Sequence, residues 1–512
     1  MVTPASTASL FAQNRLNQLT DNLESIRFNM QRSRPRALAW RPTSTRISQI
    51  ISALFFIMLN VSASSSSYAS AINNTHEYQL SNGLKLIVKE DHRAPIFVSQ
   101  LWYRIGSSNE PAGLTGISHV LEHMMFKGTT KTQPGEFAEL ITRYGGTHNA
   151  FTTKDHTGYY QLMPAGRLEL ILELEADRMK NLRIDPEQFQ RELKVVMEER
   201  RQRTDDRPTS LAYEHFNAVA FAGTSYSQPV IGWMKDIEAL TADQAMEWYQ
   251  RWYAPNNATL VVVGDLNPDQ VFEQVKRHFG SIPKSDLPQP KDVTGLNHRS
   301  GQRRIEMKLK TRLPHLYLGY RVPNVITAET PWEPYALEML IGVLDGGFSA
   351  RIEKELVRGN EIASSAGAGY SLYSRGDSLL IITGIPNQQK GFSLEDLETS
   401  LLAQLDRFKT ELVSETELQR VRAQLISQRI FSQDSITAQA NRIGHIESLG
   451  HSWRSLEEET AQLEAISAEQ IQQVAKKYLT EDALNVARLI PIKESPKAIS
   501  TVKTTANAGE AL

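Results

Sequence analysis

One short segment constrains this chain more than any other, and it reads His119-Val120-Leu121-Glu122-His123. Residues four apart lie on one face of a helix, so both imidazoles can reach one metal ion while Glu122 lies on the same surface. A catalytic Zn²⁺ takes three protein ligands and leaves its fourth position to a water, which a nearby carboxylate can deprotonate. The segment therefore predicts a zinc site with Glu122 as general base.

The helix around this segment carries two stripes of side chains. The apolar stripe consists of Ile117, Val120, Leu121 and Met124, and the opposite stripe consists of His119, Glu122, His123 and Phe126. An apolar stripe anchors a helix, so the second stripe should face something specific. The alternative, a surface helix with two solvated histidines, explains the second stripe less well. Thr115 is predicted as N-cap and Gly128 as the residue after the C-cap, which gives about three turns.

A third ligand is expected from a helix whose start is well marked. Asp185 is its predicted N-cap, Pro186 takes the first helical position, and Gln188 completes a capping-box spacing. The helix should run from about Pro186 to Arg203.

Three glutamates of this helix are candidates for the metal site. Glu192 and Glu199 are seven residues apart and share one face, whereas Glu198 points about 100° away. Arginines and lysines surround all three, so a solvated charged helix is an equally valid reading of the periodicity alone.

The flanking segments complete a pattern that resembles a known family. They are Trp102-Tyr103-Arg104-Ile105-Gly106-Ser107, Phe126-Lys127-Gly128-Thr129, Asn149-Ala150-Phe151-Thr152 and Tyr159-Tyr160. With H-x-x-E-H and a glutamate 76 residues after His123, they resemble the pitrilysin/insulinase family of zinc metallopeptidases. The resemblance is to the two-domain bacterial type, which is similar to the beta subunit of the mitochondrial processing peptidase. It extends from about His76 to Pro491.

The resemblance implies a role for each residue of the site. His119, His123 and Glu199 match the zinc ligands, Glu122 the catalytic base, and Glu192 a carboxylate that supports the ligands from behind. One Zn²⁺ per chain is implied, because the second half of the sequence contains no H-x-x-E-H.

A hairpin is predicted close to the metal. Ala150 to Thr153 and Thr157 to Met163 read as extended runs joined by Lys154-Asp155-His156. An exposed strand edge can hold a peptide extended through its backbone, and the resemblance places Asn149 and Ala150 on such an edge. An ordinary core hairpin is the alternative. Nothing in the spacing of His148 and His156 recruits them to the metal.

Length and composition bound the remaining possibilities. The chain has 512 residues, 40% apolar content, a net charge of −2 and no cysteine. These values predict two folded units and exclude disulfides and thiolate ligands, and the charge gives no electrostatic case for nucleic-acid binding.

Residues 1–71 are predicted to be a leader with a signal peptide. Arg46 precedes an apolar stretch from Ile47 to Val61, and Ala69-Ser70-Ala71 offers a small-residue cleavage site. Cleavage after Ala71 would release the chain to the periplasm or the exterior. The alternative is an N-terminal membrane anchor. The length before the apolar core also allows synthesis to begin at Met30.

An internal repeat predicts the domain organisation. Leu240 to Gln244 aligns with Ile466 to Gln470 at an offset of 226 residues, and the strand Thr259 to Val263 aligns with Asn485 to Leu489. Each copy reads helix, short turn, strand. The expected organisation is a zinc-binding domain at 72–284, a Pro-rich linker at 285–303, a homologous domain without metal at 304–491 and a disordered tail at 492–512.

Alternating strands such as Gly83 to Val88, Phe97 to Tyr103 and Leu316 to Val322 occur among amphipathic helices, so the class is α+β. The resemblance implies that each domain is an antiparallel or mixed sheet covered on one face by helices. In the family, four such halves enclose the substrate, and this chain has two.

One departure from the family pattern predicts a partner. The family completes its site with an arginine and a tyrosine seven residues apart in a later domain, which hold the substrate carbonyl. Here these positions fall on Val357 and Ser364, while Arg358 and Tyr370 are 12 apart. We therefore expect a homologous second subunit that supplies Arg and Tyr. A homodimer, with Arg358 or Tyr370 as substitute, is the alternative.

The function expected from the sequence is zinc-dependent endopeptidase activity on oligopeptides or unfolded polypeptides, with Glu122 activating a zinc-bound water. Two alternatives remain: a catalytically silent peptide-binding or scaffold member of the same family, and a zinc hydrolase that is not a peptidase.

Overall fold

Two sheets organise the computed structural model, which describes residues 74–289, 291, 293 and 301–492. The first contains β1 (Thr75–Gln79), β2 (Lys85–Glu90), β3 (Ile96–Tyr103), β4 (Thr147–Thr152), β5 (Thr157–Pro164) and β6 (Ala258–Gly264) in the order β1-β2-β6-β3-β5-β4. The second contains β7 (Arg303–Leu309), β8 (His315–Val322), β9 (Ala363–Gly369), β10 (Ser378–Pro386) and β11 (Leu484–Pro491) in the order β7-β11-β8-β10-β9. Only β2/β6 and β7/β11 pair in parallel, so each described sheet is mixed.

Fourteen α-helices accompany the strands in the described ranges. The first half holds α1 (Ile117–Met124), α2 (Glu136–Arg143), α3 (Leu168–Asn181), α4 (Pro186–Arg200), α5 (Pro208–Ala220), α6 (Met234–Ala239), α7 (Ala242–Trp252) and α8 (Pro268–Phe279). The second half holds α9 (Glu333–Asp345), α10 (Leu394–Thr410), α11 (Glu415–Ser432), α12 (Ile436–Ser448), α13 (Ser455–Ala465) and α14 (Ala468–Tyr478). Two π-helical segments, Arg201–Asp205 and Ile352–Val357, follow α4 and α9 along the chain. The α+β class is confirmed.

The predicted repeat is present in both halves. α7 and α14 each begin with a complete capping box, formed by Thr241 with Gln244 and by Ser467 with Gln470. Each helix leads into the strand that pairs with β2 or β7, namely β6 or β11. The same sequence of cap, helix and strand therefore adopts the same local structure in both halves.

Each sheet buries one face against helices of its own half. The first core includes Leu86, Leu101 and Leu260 from the strands, and the second includes Leu318, Leu380 and Val486. Between α8 and β7, the described residues form no helix or strand. Among the residues described, no helix has the length and apolarity needed to cross a bilayer. The leader from residue 1 to 71, its apolar stretch and the tail from 493 onward lie outside the described residues.

The other face of each sheet is covered by a helix from the opposite half, which the sequence did not predict. Helix α12 packs on β3 and β6, where a Cβ on Gly444 would lie 2.1 Å from Trp102 Nε1. Helix α5 packs on β7, β8 and β11, where a Cβ on Gly319 would lie 2.7 Å from Phe216 Cζ. Each half thus contributes one helix that packs on the sheet of the other half, and these two contacts hold the halves together.

Candidate metal and peptide site

The helix α1 places the H-x-x-E-H segment, and its start differs from the prediction. Gly116, not Thr115, is the N-cap, because the Thr115 hydroxyl donates to Asp236 Oδ2 at 2.6 Å. The helical N–H groups are satisfied from outside: Glu110 accepts from the backbone N–H of Gly116 at 2.7 Å and of Ser118 at 2.8 Å. A carboxylate at a helix N-terminus also complements the helix dipole.

The end of α1 was also predicted wrongly. The helix stops at Met124 with Met125 as C-cap, so it has about two turns rather than three. Gly128 lies further on with φ +103°, where a Cβ would meet Thr132 O at 2.8 Å. A glycine is needed at position 128 because the chain passes close to Thr132 there, and not because the helix ends there. The four residues of the predicted apolar stripe, Ile117, Val120, Leu121 and Met124, are all buried.

The helix α4 begins as predicted and ends earlier. Asp185 accepts from the Gln188 N–H at 2.9 Å, with Pro186 at the first position. The α-helix ends at Arg200 instead of Arg203, and a π-helical segment continues to Asp205 through wider hydrogen bonds such as Asp206 N–H to Arg201 O. Glu198 is exposed, while Glu192 is buried, so the predicted helical phase is correct.

Helices α1 and α4 bring together His119, His123 and Glu199, whose ligand atoms all lie within 4.8 Å of one another. Glu199 Oε2 is 3.9 Å from His119 Nε2 and 3.4 Å from His123 Nε2. Ligands placed tetrahedrally at about 2.1 Å from a zinc ion are about 3.4 Å apart. Two imidazoles and a carboxylate at these separations fit Zn²⁺.

Charge within this group is unevenly distributed. Burial, together with the neighbouring His123, lowers the pKa of His119 to about 4. Burial also disfavours the protonated form of His123, but Glu192 and Glu199 raise the pKa of that imidazole to about 9. The hydrogen bond from His123 lowers the pKa of Glu199. A metal cation would therefore replace a proton shared between imidazole and carboxylates.

Two further side chains hold the carboxylates in place. Glu192 Oε2 lies 3.6 Å from His123 Nδ1, and its other oxygen accepts from Lys127 Nζ at 2.6 Å. Arg203 Nη1 lies 2.5 Å from Glu199 Oε1. Glu192 thus lies near the ring nitrogen of His123 that is opposite the one near Glu199. His119 Nδ1 is buried without a hydrogen-bond partner among the described residues.

Glu122 lies next to the group without belonging to it. Its carboxylate accepts from the Thr152 hydroxyl at 2.5 Å. Burial raises the pKa of Glu122, although the Thr152 hydrogen bond opposes the shift. A carboxylate with a raised pKa accepts and returns a proton more readily near neutral pH.

The predicted hairpin borders the same cavity. β4 pairs with β5 alone, so its other edge is free of strand partners in the described structure. Asn149 and Ala150 lie on β4, and both line a cavity of about 930 Å³ that also contains His119, Glu122, His123 and Glu199. His148 and His156 are outside the group: His148 packs between Phe126 and Phe137, and His156 contacts Ser448 of α12.

The proposed substitutes for the missing arginine and tyrosine do not reach this cavity. Arg358 donates to Phe348 O at 2.5 Å and stacks on the Phe348 ring. The Tyr370 hydroxyl donates to Pro323 O at 2.6 Å, within the second core. Neither residue is among those that line the cavity, and neither are Val357 and Ser364.

Several residues of the site were missed from the sequence. Glu110 caps α1, Thr152 contacts Glu122, and Arg203 contacts Glu199. Thr152 and Arg203 lay within segments already singled out, but no spacing rule assigns them these contacts. No sequence pattern marks Glu110 as a cap of α1, because it lies six residues before Gly116 and reaches the helix start only when the intervening segment turns back.

The sequence matches two family models. Residues 85–233 match the model described as Insulinase (Peptidase family M16), and residues 239–425 match the model described as Peptidase M16 inactive domain. The chain is 32% identical over 379 residues to the zinc protease PqqE of Helicobacter pylori, which covers 71% of this chain and 82% of that protein. It is 26% identical to the uncharacterized zinc protease YmxG of Bacillus subtilis, over 79% of this chain and 96% of that protein.

Solved structures show the same fold. The crystal structure of a protease from Helicobacter pylori superposes with a TM-score of 0.76 at 28% identity, over 81% of this chain and 99% of the other. The periplasmic protease PqqL from Escherichia coli gives a TM-score of 0.70 at 20% identity, over 82% of this chain and 48% of the other. The chain therefore belongs to the insulinase family, peptidase family M16. Its named relatives in that family are zinc proteases.

Proposed function

We propose that this protein is a zinc-dependent endopeptidase that cleaves oligopeptides or unfolded polypeptides, with one Zn²⁺ per chain. The observation that carries the proposal is the meeting of His119, His123 and Glu199 beside Glu122 in a cavity bordered by a free strand edge. Zn²⁺ held by these three residues would polarise a substrate carbonyl and increase the acidity of a water.

The chain's own residues account for the remaining steps. The edge of β4 at Asn149 and Ala150 pairs with the backbone of an extended peptide, which demands little of side-chain identity. Glu122 accepts a proton as the water oxygen bonds to the carbonyl carbon, and it passes that proton to the nitrogen as the C–N bond breaks. The Thr152 hydroxyl orients the Glu122 carboxylate for both transfers.

Substitution Glu122→Gln tests this assignment. The amide cannot accept a proton, yet none of the three proposed ligands is changed, so hydrolysis of labelled casein should fall below about 1% while zinc stays bound. Metal content by mass spectrometry and casein cleavage are measured on the same sample. Wild-type protein, purified with whatever copurifies, that holds zinc and binds casein without cleaving it would instead identify a peptide-binding member of the family. Cleavage of esters but not peptides would identify another zinc hydrolase.

We further propose that the active species contains a homologous second subunit that supplies the arginine and tyrosine absent at Val357 and Ser364. Loss of a donor to a developing oxyanion costs about 3 kcal/mol, so a chain without both would be a slow enzyme. Zinc-loaded chain verified free of other polypeptides should cleave casein at least ~100-fold more slowly than the complex isolated with its partner. Full activity alone, as a homodimer, would contradict this proposal.

The cellular location is proposed from the leader alone. Cleavage after Ala71 would place the mature chain in the periplasm or outside the cell. N-terminal sequencing of the native protein should begin near Ile72. Recovery of intact Ile47 to Val61 in the membrane fraction would replace secretion with anchoring.

A further inference from the structure

Helix α5 serves two parts of the molecule at once. One face carries Ala212 and Phe216, which pack on the second sheet beside Tyr317 and Leu489. Another face carries Ser210, Tyr213 and Asn217, all of which line the cavity that contains the proposed zinc ligands. The helix is therefore a wall of the catalytic cavity, and its position depends on both halves of the chain.

The position of α5 relative to the proposed ligands is set by a buried ion pair. Arg200 follows Glu199 directly, and its guanidinium donates to both oxygens of Glu214 at 2.9 and 2.8 Å. The same Arg200 side chain donates to Gly232 O at 2.7 Å. Bidentate pairs of this kind restrict orientation as well as distance. Tyr213, next to Glu214, is thereby held in a defined place near Glu199.

The Tyr213 side chain is exposed in this otherwise well-packed region. It is 44% exposed, and its ring contacts that of Tyr317 at 6.3 Å. Its hydroxyl has no hydrogen-bond partner among the described residues. The neighbouring Tyr226 hydroxyl is engaged by Asp155, and that of Tyr317 donates to Thr209 O at 3.0 Å. Tyr213 therefore presents a free hydroxyl donor to the cavity.

A peptide held along β4 needs such a donor. Pairing with β4 satisfies the backbone groups on one side of the peptide and leaves those on the other side facing the rest of the cavity. A carbonyl left without a partner in a partly desolvated cleft is costly. We propose that the Tyr213 hydroxyl donates a hydrogen bond to a backbone carbonyl of the bound peptide. This inference rests on the proposed function, and it makes Tyr213 a substrate-contacting residue supplied by this chain itself.

The test removes only the hydroxyl. In zinc-loaded Glu122→Gln protein, the further change Tyr213→Phe should weaken binding of fluorescein-labelled β-casein about fivefold, the effect of one net hydrogen bond. With Glu122 intact, Tyr213→Phe should lower kcat/KM by a similar factor with unchanged zinc content and melting temperature. Tyr144→Phe is the matched control, because Tyr144 is also half-exposed but stacks on Arg167 away from the cavity.

The outcomes separate this inference from the proposed function. Affinities within twofold of each other, or no binding of casein by the Glu122→Gln protein, would overturn the role of Tyr213. If casein is cleaved and Glu122→Gln is inactive, the proposed function stands even when Tyr213→Phe has no effect. If neither the wild-type chain nor the complex isolated with its partner cleaves casein but Tyr213→Phe still weakens binding, the endopeptidase proposal fails and the peptide contact stands.

Discussion

The two halves of the molecule have similar sheets and similar pairs of packed helices, but the side chains between those helices differ in chemistry. In the first half, α1 packs against α4 and α7; in the second, α9 packs against α11 and α14. Between α1 and α4 lie two imidazoles and a carboxylate. Between α9 and α11, Glu338 instead pairs with Arg429 at 2.7 Å, and Arg429 pairs with Glu459 at 2.6 Å.

The difference shows what separates a binding site from a structural cluster. Within this cluster of the second half each charge has an opposite partner, since the buried Glu459 also accepts from Arg442 at 2.6 Å. Such a network needs no further cation, and its value lies in holding one arrangement. In the first half, Glu199 and the two imidazoles are held together by a hydrogen bond from His123, and a divalent cation would replace that proton and accept electron pairs from all three groups.

The largest expected effect concerns the carboxylate that distinguishes the two helix pairs. Glu199→Gln should weaken zinc binding by more than ~100-fold, because it removes a proposed ligand, whereas Glu198→Gln should leave zinc bound because its side chain is exposed. Metal content after dialysis against a weak chelator measures both.

The second half provides the complementary variant. Glu338→Gln should keep zinc and lower the free energy of unfolding by about 2 kcal/mol, because Arg429 loses one of its two carboxylate partners and keeps only Glu459. Zinc loss from Glu338→Gln, or retention in Glu199→Gln, would break the comparison between the halves.

The next effect is expected where α12 and α5 pack on the sheets of the opposite halves. Gly444→Ala should lower the free energy of unfolding by up to about 3 kcal/mol, because the new Cβ would overlap Trp102. Gly319→Ala should cost less, since its nearest contact, Phe216 Cζ, is further away. Urea denaturation measures both, with Gly166→Ala as control because nothing lies within 4 Å of its added Cβ. Equal stability of all three variants would mean that the opposite faces of the sheets are not held as described.

A smaller effect is expected from the carboxylate behind His123. Glu192→Gln should weaken zinc binding about 10- to 100-fold without abolishing it, because the His123 ring loses a charged partner at Nδ1. Isothermal titration with Zn²⁺ compares this variant with the wild type. An affinity as low as that of Glu199→Gln would mean that Glu192 is itself a ligand.

The smallest effect is a pH dependence at the contact between the halves. Burial and the adjacent His445 keep the pKa of His156 well below its usual value, and burial also lowers the pKa of His445. As pH falls below about 6.5, the unfolded state binds protons that the folded state does not, so stability is lost by up to about 1.4 kcal/mol per pH unit for each histidine. His156→Gln should flatten the decline measured by urea denaturation between pH 7 and 5.5. An unchanged slope would remove His156 as its source.

How far the sequence could predict the site depended on the range of each interaction. H-x-x-E-H, the Asp185 cap and the phase of Glu192 against Glu198 are contained within single helices, so periodicity was sufficient for them. The start of α1 was predicted one residue early, because Thr115 is a good cap by type but bonds Asp236, which is distant in sequence. The π-helical end of α4 likewise follows no residue preference.

The sequence by itself determined the local elements of this protein: the metal-motif helix, the capped helix of Glu199, the hairpin of β4 and β5, and the repeat of α7–β6 in α14–β11. Hydrophobic period, capping residues and turn residues act over a few positions, so they can be seen without a fold. Only the tertiary structure decided that Glu110 caps α1, that α12 and α5 cross to the opposite sheets, and that Tyr213 faces the cavity. These contacts join residues far apart in the chain, and their energy comes from packing and desolvation that no local pattern encodes.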